Sequence, residues 1–264
     1  ALDFHDRLSA SLISSHINSN SQINALWGSS LTFSASNLRS DTEFFSLQER
    51  IVKYSEMISE LNQLPIIIDG DTGGQNINLA RSIKLMDNFS MDAIVLEDKK
   101  GQKINSLEDN SSLHQLSSIE EFSEKFRIIK ETTKTEIVSI ARLEGLIVGQ
   151  NHSDIIRKSL SVLESGADVI MIHTKEEKPD NVLKIQKELR KIKPNIKLMM
   201  VPQNIEKITP KEWFKLGVDI LVYPNQSLRS VHKALTQNIL NVNSGKSIYE
   251  FSKSLSPIKN LINI

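Results

Sequence analysis

Carboxylates gather at a few points of this 264-residue chain, each directly after an apolar run. Residues 65–68 lead into Asp69-Gly70-Asp71-Thr72-Gly73-Gly74, and the next run, 93–96, ends at Glu97-Asp98-Lys99. Further on, Ile140-Ala141 opens into Arg142-Leu143-Glu144, and Ile172 into His173-Thr174-Lys175. Trp27-Gly28-Ser29-Ser30 and Asp41 lie on or after an earlier run. On an extended segment residues i and i+2 share a face, so the carboxylates of Asp69 and Asp71 are expected to point into one site. With Glu97 they would repel one another unless a cation lay between them. All-oxygen donors suit a hard ion, and Mg²⁺ favours one or two carboxylates, retained waters and substrate oxygens. Facing them, Arg142, His173 and the lysines of 98–106 form a cationic half-site suited to phosphate or carboxylate groups. The chemistry described is metal-assisted work on a small anionic substrate.

Each residue also has a plainer reading. A strand-end Asp or Glu serves as well to cap a helix or shape a turn. Arg142 and Glu144 can simply pair, and His173 can be a satisfied core histidine. Trp27 suits a core as well as a ligand contact, and Lys99, Lys100 and Lys103 suit a solvated loop. Three acids on neighbouring strand ends beside a Gly-rich turn favour the site.

Positioning these groups requires strands that end at one place. Apolar or β-branched runs cover residues 23–34, 65–69, 92–97, 136–142, 168–173, 197–201 and 219–223. They read as near-continuous apolar segments, as buried parallel strands do. Helical spacing fills 46–61, 77–88, 118–130, 153–165, 180–192 and 210–216 between them. Two of these helices run through Gly166 and Gly217 into Asp168 and Asp219, the expected glycine stop before a strand. A stub at 1–4 followed by an amphipathic segment at 8–17 supplies an eighth unit, its strand expected to be truncated. Eight alternating units in one domain, 1–264, fit an α/β fold of the (β/α)8 TIM type. No Gly-x-Gly-x-x-Gly follows the first strand, which disfavours the rival dinucleotide fold. Residues 230–264 hold two more helical patterns, 231–241 and 248–255.

Composition narrows the functions. Basic and acidic side chains balance at 32 each, which leaves no electrostatic footprint for nucleic acid or an anionic membrane. With no cysteine, disulfides, thiolate metal sites and cysteine nucleophiles are excluded. The apolar runs are too short to span a bilayer, and no signal-peptide core opens the chain. A cytoplasmic protein acting on a small molecule is expected.

The motifs then become specific. Asp69-Gly70-Asp71-Thr72-Gly73, Glu97-Asp98-Lys99 and Ile140-Ala141-Arg142-Leu143-Glu144 resemble the isocitrate lyase/phosphoenolpyruvate mutase superfamily. Within it, residues 97–106 fit the E-D-K-x5-N-S signature of the phosphoenolpyruvate phosphomutases. His5-Asp6-Arg7-Leu8-Ser9-Ala10, Trp27-Gly28-Ser29-Ser30-Leu31 with Asp41, Ile172-His173-Thr174-Lys175 and Asn225-Gln226-Ser227-Leu228-Arg229 extend the likeness over nearly the whole chain.

The resemblance implies an isomerase that interconverts phosphoenolpyruvate and phosphonopyruvate, the step that makes the C–P bond in phosphonate biosynthesis. It implies Mg²⁺ as cofactor, with Asp69 coordinating directly and Asp41, Asp71 and Glu97 holding its water ligands. Ser29, with the backbone of Ser30 and Leu31, would bind the substrate carboxylate beside Trp27. Arg142, His173 and Asn105 would hold the phosphoryl group, with Asp41 as an orienting group. Residues 98–118 resemble a gating loop, which carries Lys103, Asn105 and Ser106 and whose closure must exclude water. The last helices are expected to exchange between subunits, giving a homodimer or homotetramer. Departures are the Gly73-Gly74-Gln75-Asn76 turn, Ser30 where glycine is usual, and Gln203 in place of threonine. Phosphonopyruvate hydrolase is the nearest rival, and Asn105 favours the mutase. The carbon–carbon lyases need a cysteine this chain lacks. A catalytically silent barrel has no use for so many like charges around one cleft.

Overall fold

Eight short parallel strands close into a (β/α)8 barrel in the computed structural model, which describes residues 1–17, 21–59, 64–101, 103–104, 106, 114–202 and 207–262. The chain runs β1 (Leu2–Asp3), α1 (Arg7–Ser15), β2 (Leu26–Gly28), α2 (Ser30–Ser36), α3 (Leu47–Ile58), β3 (Ile66–Asp69) and α4 (Asn76–Asn88). It continues through β4 (Ala93–Glu97), β5 (Lys99–Lys100), β6 (Gln115–Leu116), α5 (Ile119–Thr132), β7 (Val138–Leu143), α6 (His152–Glu164) and β8 (Val169–Ile172). Last come α7 (Asp180–Ile192), β9 (Lys197–Met200), α8 (Pro210–Lys215), β10 (Ile220–Leu221), α9 (Gln226–Asn243), α10 (Ile248–Ser252) and α11 (Lys259–Ile262).

The barrel order is β1-β2-β3-β4-β7-β8-β9-β10, while β5 and β6 form a separate antiparallel ribbon. Closure comes from a parallel bridge between Leu2 and Tyr223, where Asp3 N–H donates to the Tyr223 carbonyl at 3.0 Å.

Strand parity decides what faces inward. Trp27, Ile67, Val95, Ile140, Met171 and Met199 fill the barrel interior. Their neighbours Ile66, Ile68, Ile94, Leu96, Ile170 and Ile172 pack outward against the helices. The period of two then carries Ser29, Asp69, Glu97, Arg142 and His173 onto the inner side at the strand ends. The helices start on polar caps: Ser46 and Glu49 form a capping box for α3, as Ser118 and Glu121 do for α5. On α5, Phe122, Phe126 and Ile129 are fully buried, each contributing about 1.5–3 kcal/mol by removal from water.

Three expectations need correcting. The strand expected at 23–34 covers only Leu26–Gly28, because Ser29 caps a helix over Ser30–Ser36 by accepting from Thr32 N–H at 3.2 Å. The strand expected at 219–223 shortens to Ile220–Leu221. The loop after Glu97 contains the β5–β6 ribbon, which had no sequence expectation.

Asp3 anchors α9 by accepting from Ser227 N–H at 2.7 Å. No residue of α9, α10 or α11 is buried, and Leu235, Ile239, Ile248 and Ile258 are exposed. Among the described residues no helix is long and apolar enough to cross a membrane.

Candidate active site

At the carboxyl ends of the strands, Trp27, Ser29, Ser30, Leu31, Asp41, Asp69, Glu97, Lys103, Ser106, Arg142 and His173 line one cleft. It encloses about 560 Å³ of space, its open mouth included. Two glycines let the scaffold close beneath it. A Cβ on Gly28 would lie 2.9 Å from Tyr54, and one on Gly70 would lie 2.8 Å from the Val95 carbonyl.

One side of the cleft is acidic. Asp69 ends β3 and accepts from Ser30 Oγ at 3.0 Å. Two residues on, Asp71 adopts a left-handed backbone, φ 52°, so the shared-face rule for extended chain stops applying. Asp71 therefore does not line the cleft as expected. Its Oδ2 takes a 2.5 Å bond from Arg50 Nη2 and its Oδ1 a 2.5 Å bond from Lys103 Nζ. Lys103 Nζ also donates to Asp41 at 2.5 Å and to Ser30 Oγ at 2.8 Å. Burial works to raise the Asp71 carboxyl, but Arg50 and Lys103 outweigh it and hold it below the usual range. Burial likewise opposes the Lys103 charge, yet Asp71, Asp69 and Asp41 push that ammonium above the ordinary lysine value.

The other side is basic and built on one carboxylate. Glu144 is fully buried and accepts from Arg142 Nε. Its oxygens lie 2.9 and 3.1 Å from His173 Nδ1, and Arg142 Nη2 lies 2.9 Å from the same nitrogen. Ser106 Oγ donates to Glu144 Oε2 at 3.0 Å and receives Arg142 Nη2 at 3.1 Å. Burial raises Glu144, but Arg142 and His173 dominate and hold its carboxyl well below the ordinary value. Burial and the Arg142 charge lower the His173 imidazole, with Glu144 partly offsetting them.

The roots of the 98–118 segment are fixed from below. Lys158 on α6 donates to Asp98 Oδ2 at 2.7 Å and to the Ser117 carbonyl at 2.8 Å. Asp98 Oδ1 accepts from Glu144 N–H at 2.8 Å.

Glu97 stands between the halves, 3.6 Å from Arg142 and 3.9 Å from Lys99. Among the described residues its Oε1 is buried without a partner, and burial pushes its carboxyl up to about 8. An orphaned carboxylate oxygen near Asp69, in an all-oxygen acidic setting, fits a hard cation. Among the described residues no three acidic or histidine side chains converge tightly enough to grip an ion alone. Such an ion would be held by few direct ligands and by water.

The structure thus gathers every residue expected at the site except Asp71, which lies beneath it, and Asn105, which falls outside the described residues, as does Gln203. Arg50 and Tyr54 were missed. They share the buried face of α3 with Leu47 and Ile51, and Tyr54 donates to the Ser29 carbonyl at 2.7 Å. An arginine at a core position of a helical stripe was the available signal.

Against known families, the model described as phosphoenolpyruvate phosphomutase matches residues 1–243. The chain belongs to the phosphoenolpyruvate phosphomutase family. It is similar to the phosphoenolpyruvate phosphomutase of Tetrahymena pyriformis, 26% identical over 265 residues, covering 100% of this chain and 85% of that one. It is also similar to the phosphonopyruvate hydrolase of Variovorax sp. (strain Pal2), 28% identical over 242 residues, covering 90% of this chain and 82% of that one. Among solved structures, the phosphomutase of Streptomyces platensis subsp. rosaceus superposes with a TM-score of 0.90 at 24% identity, covering 99% and 88% of the two chains. A phosphonopyruvate hydrolase in complex with oxalate and Mg²⁺ gives 0.86 at 26% identity, with the same coverage. The chain is also similar to the 2-methylisocitrate lyase of Vibrio cholerae, 27% identical over 188 residues, covering 68% of this chain and 58% of that one.

Proposed function

We propose that this enzyme interconverts phosphoenolpyruvate and phosphonopyruvate, forming the C–P bond of phosphonate biosynthesis. The observation that carries the reading is one segment joined to both halves of the cleft. Lys103 bonds Asp41 and Asp71 on the acidic side, and Ser106 bonds Arg142 and Glu144 on the basic side. Lys103 and Ser106 thus tie the segment to both walls, which supports the exclusion of water that a transferring phosphoryl group requires. In the forward direction the P–O bond of phosphoenolpyruvate breaks and a P–C bond forms at the methylene carbon, with no atom gained or lost.

Mg²⁺ is the proposed cofactor, with Asp69 as direct ligand and Asp41 and Glu97 acting through water. Bound there, it would supply Lewis-acid stabilisation of negative charge on the substrate's carboxylate and enol oxygens. Ser29 and the Ser30 and Leu31 backbone bind the carboxylate under Trp27. Arg142 and His173, with Asn105, hold the phosphoryl oxygens. The fixed positive charge of Arg142 and the polar groups of His173 and Asn105 suit a loose phosphoryl transition state, in which positioning matters more than a covalent partner. Asp41 orients the group, and Lys103 keeps Asp41 in place.

Hydrolysis of phosphonopyruvate is the alternative, favoured by the similarity to the Variovorax hydrolase. Pyruvate release separates the two when followed with a coupled dehydrogenase in the presence of phosphonopyruvate and Mg²⁺. The mutase releases almost none, whereas the hydrolase releases it in step with phosphate. Oxalate, an enolate mimic, should raise the melting temperature only with Mg²⁺; a silent barrel would show no shift. The exposed apolar faces of α9–α11 support a homodimer or homotetramer, and a monomer by light scattering at micromolar concentration would refute that.

A further inference from the structure

Arg50 reaches the site from a helix, neither from a strand end nor from the 98–118 segment. It projects from α3, is 2% exposed, and makes two short bonds to one turn. Nη1 donates to the Asp69 carbonyl and Nη2 to Asp71 Oδ2, both at 2.5 Å. That turn is unusual: Asp71 is a non-glycine residue at φ 52°, a conformation that persists only where its surroundings over-determine it. The same turn docks on β4, since the Asp71 carbonyl accepts Glu97 N–H at 2.8 Å and Gly70 N–H donates to Val95 at 2.8 Å. Arg50 therefore grips the segment that sets Asp69 against Glu97.

Its charge has a second consequence. Lys103 divides its bonds between Asp71, Asp41 and Ser30, so it can release Asp71 and remain paired. Arg50 is enclosed and has no other carboxylate bonded to it among the described residues.

We propose that Arg50 acts through Asp71, compensating its charge from behind the cleft. A divalent cation at Asp69 is then bound on the charge of Asp69, Glu97 and Asp41. This rests on the metal-dependent reading above.

The test is Mn²⁺ affinity of the full chain, read from the free-ion electron paramagnetic resonance signal, in a double-mutant cycle with thermal unfolding alongside. Arg50→Gln should tighten Mn²⁺ binding by about tenfold, because a nearby positive charge is removed. Asp71→Asn, which leaves Arg50 uncompensated, should weaken it by about tenfold. The double variant removes a neutral pair as a unit. It should return to within about threefold of the parent and melt above Arg50→Gln alone. If Arg50→Gln does not fold, a double variant that folds and binds Mn²⁺ like the parent still supports the proposal. A double variant that loses affinity by tenfold or more, or is no more stable than Arg50→Gln, overturns it. A parent protein that binds no Mn²⁺ would overturn the metal-dependent reading and this inference together, whereas the double-variant failures overturn this inference alone.

Discussion

On the β2–β4 side of the cleft, acids at the strand ends and in the loops after them are matched by cations brought from elsewhere, Lys103 from the segment after β5 and Arg50 from α3. On the β7–β8 side the arrangement is inverted: two cationic or basic groups of the strands, Arg142 and His173, converge on Glu144, which follows β7 directly. The acidic half thus draws part of its counter-charge from a loop, and that part can be exchanged for another cation. The basic half carries its own counter-charge in the scaffold and stays fixed. This division suits an enzyme whose metal and substrate arrive on one side and whose phosphoryl-binding groups must already be aligned on the other.

Substitutions can break that contrast from either side. Asp69→Ala should have the largest effect, a loss of turnover on the order of 10³-fold, together with loss of Mn²⁺ binding by resonance titration. Glu144→Gln should follow, since Arg142 and His173 lose the anchor that aligns them. Turnover should fall on the order of 10²-fold, and urea unfolding should show about 3–5 kcal/mol of lost stability for a broken buried pair. Lys103→Met should cost roughly tenfold in turnover and less stability than Glu144→Gln, because Arg50 still pairs Asp71. Product analysis should then show a larger share of inorganic phosphate, because the acidic wall has lost its tie to the covering segment. An effect of Lys103→Met on stability as large as that of Glu144→Gln would erase the distinction between an exchangeable and a fixed counter-charge.

The smallest expected effect is a pH dependence. Burial and Arg142 depress the His173 imidazole in the folded chain. Its contribution to stability is full above the unfolded histidine value of about 6.5 and is lost as pH falls below that toward the folded pKa, because the unfolded chain takes up the proton first. Unfolding by urea at pH 7.5 and 5.5 should therefore show a steeper loss for the parent than for His173→Asn. Equal losses would mean that the ring is not held neutral in the folded state.

The same contrast explains what the sequence made legible. The basic half sits on or directly after regular strands, where a period of two fixes orientation, so Arg142 and His173 could be placed from their neighbours Ile140 and Met171. Glu97 followed in the same way from Val95. The acidic half depends on irregular backbone. Asp71 leaves the strand through a left-handed turn, and Ser29 ends its strand by capping a helix, so the expected strand at 23–34 was too long. Arg50 was hidden because its partner lies 21 residues away on a different element, and helical spacing alone marks such a position as core. The β5–β6 ribbon is two residues per strand, too short for any periodic signal.

The most direct test of the proposed reaction is ³¹P NMR of the protein with phosphonopyruvate and Mg²⁺, alongside an Asp41→Ala control. The account predicts that the phosphonate resonance is replaced by that of a phosphate ester, and that the control shows no conversion. Inorganic phosphate appearing with no phosphoenolpyruvate before it would contradict the account, because water would then be the acceptor and the enzyme a hydrolase.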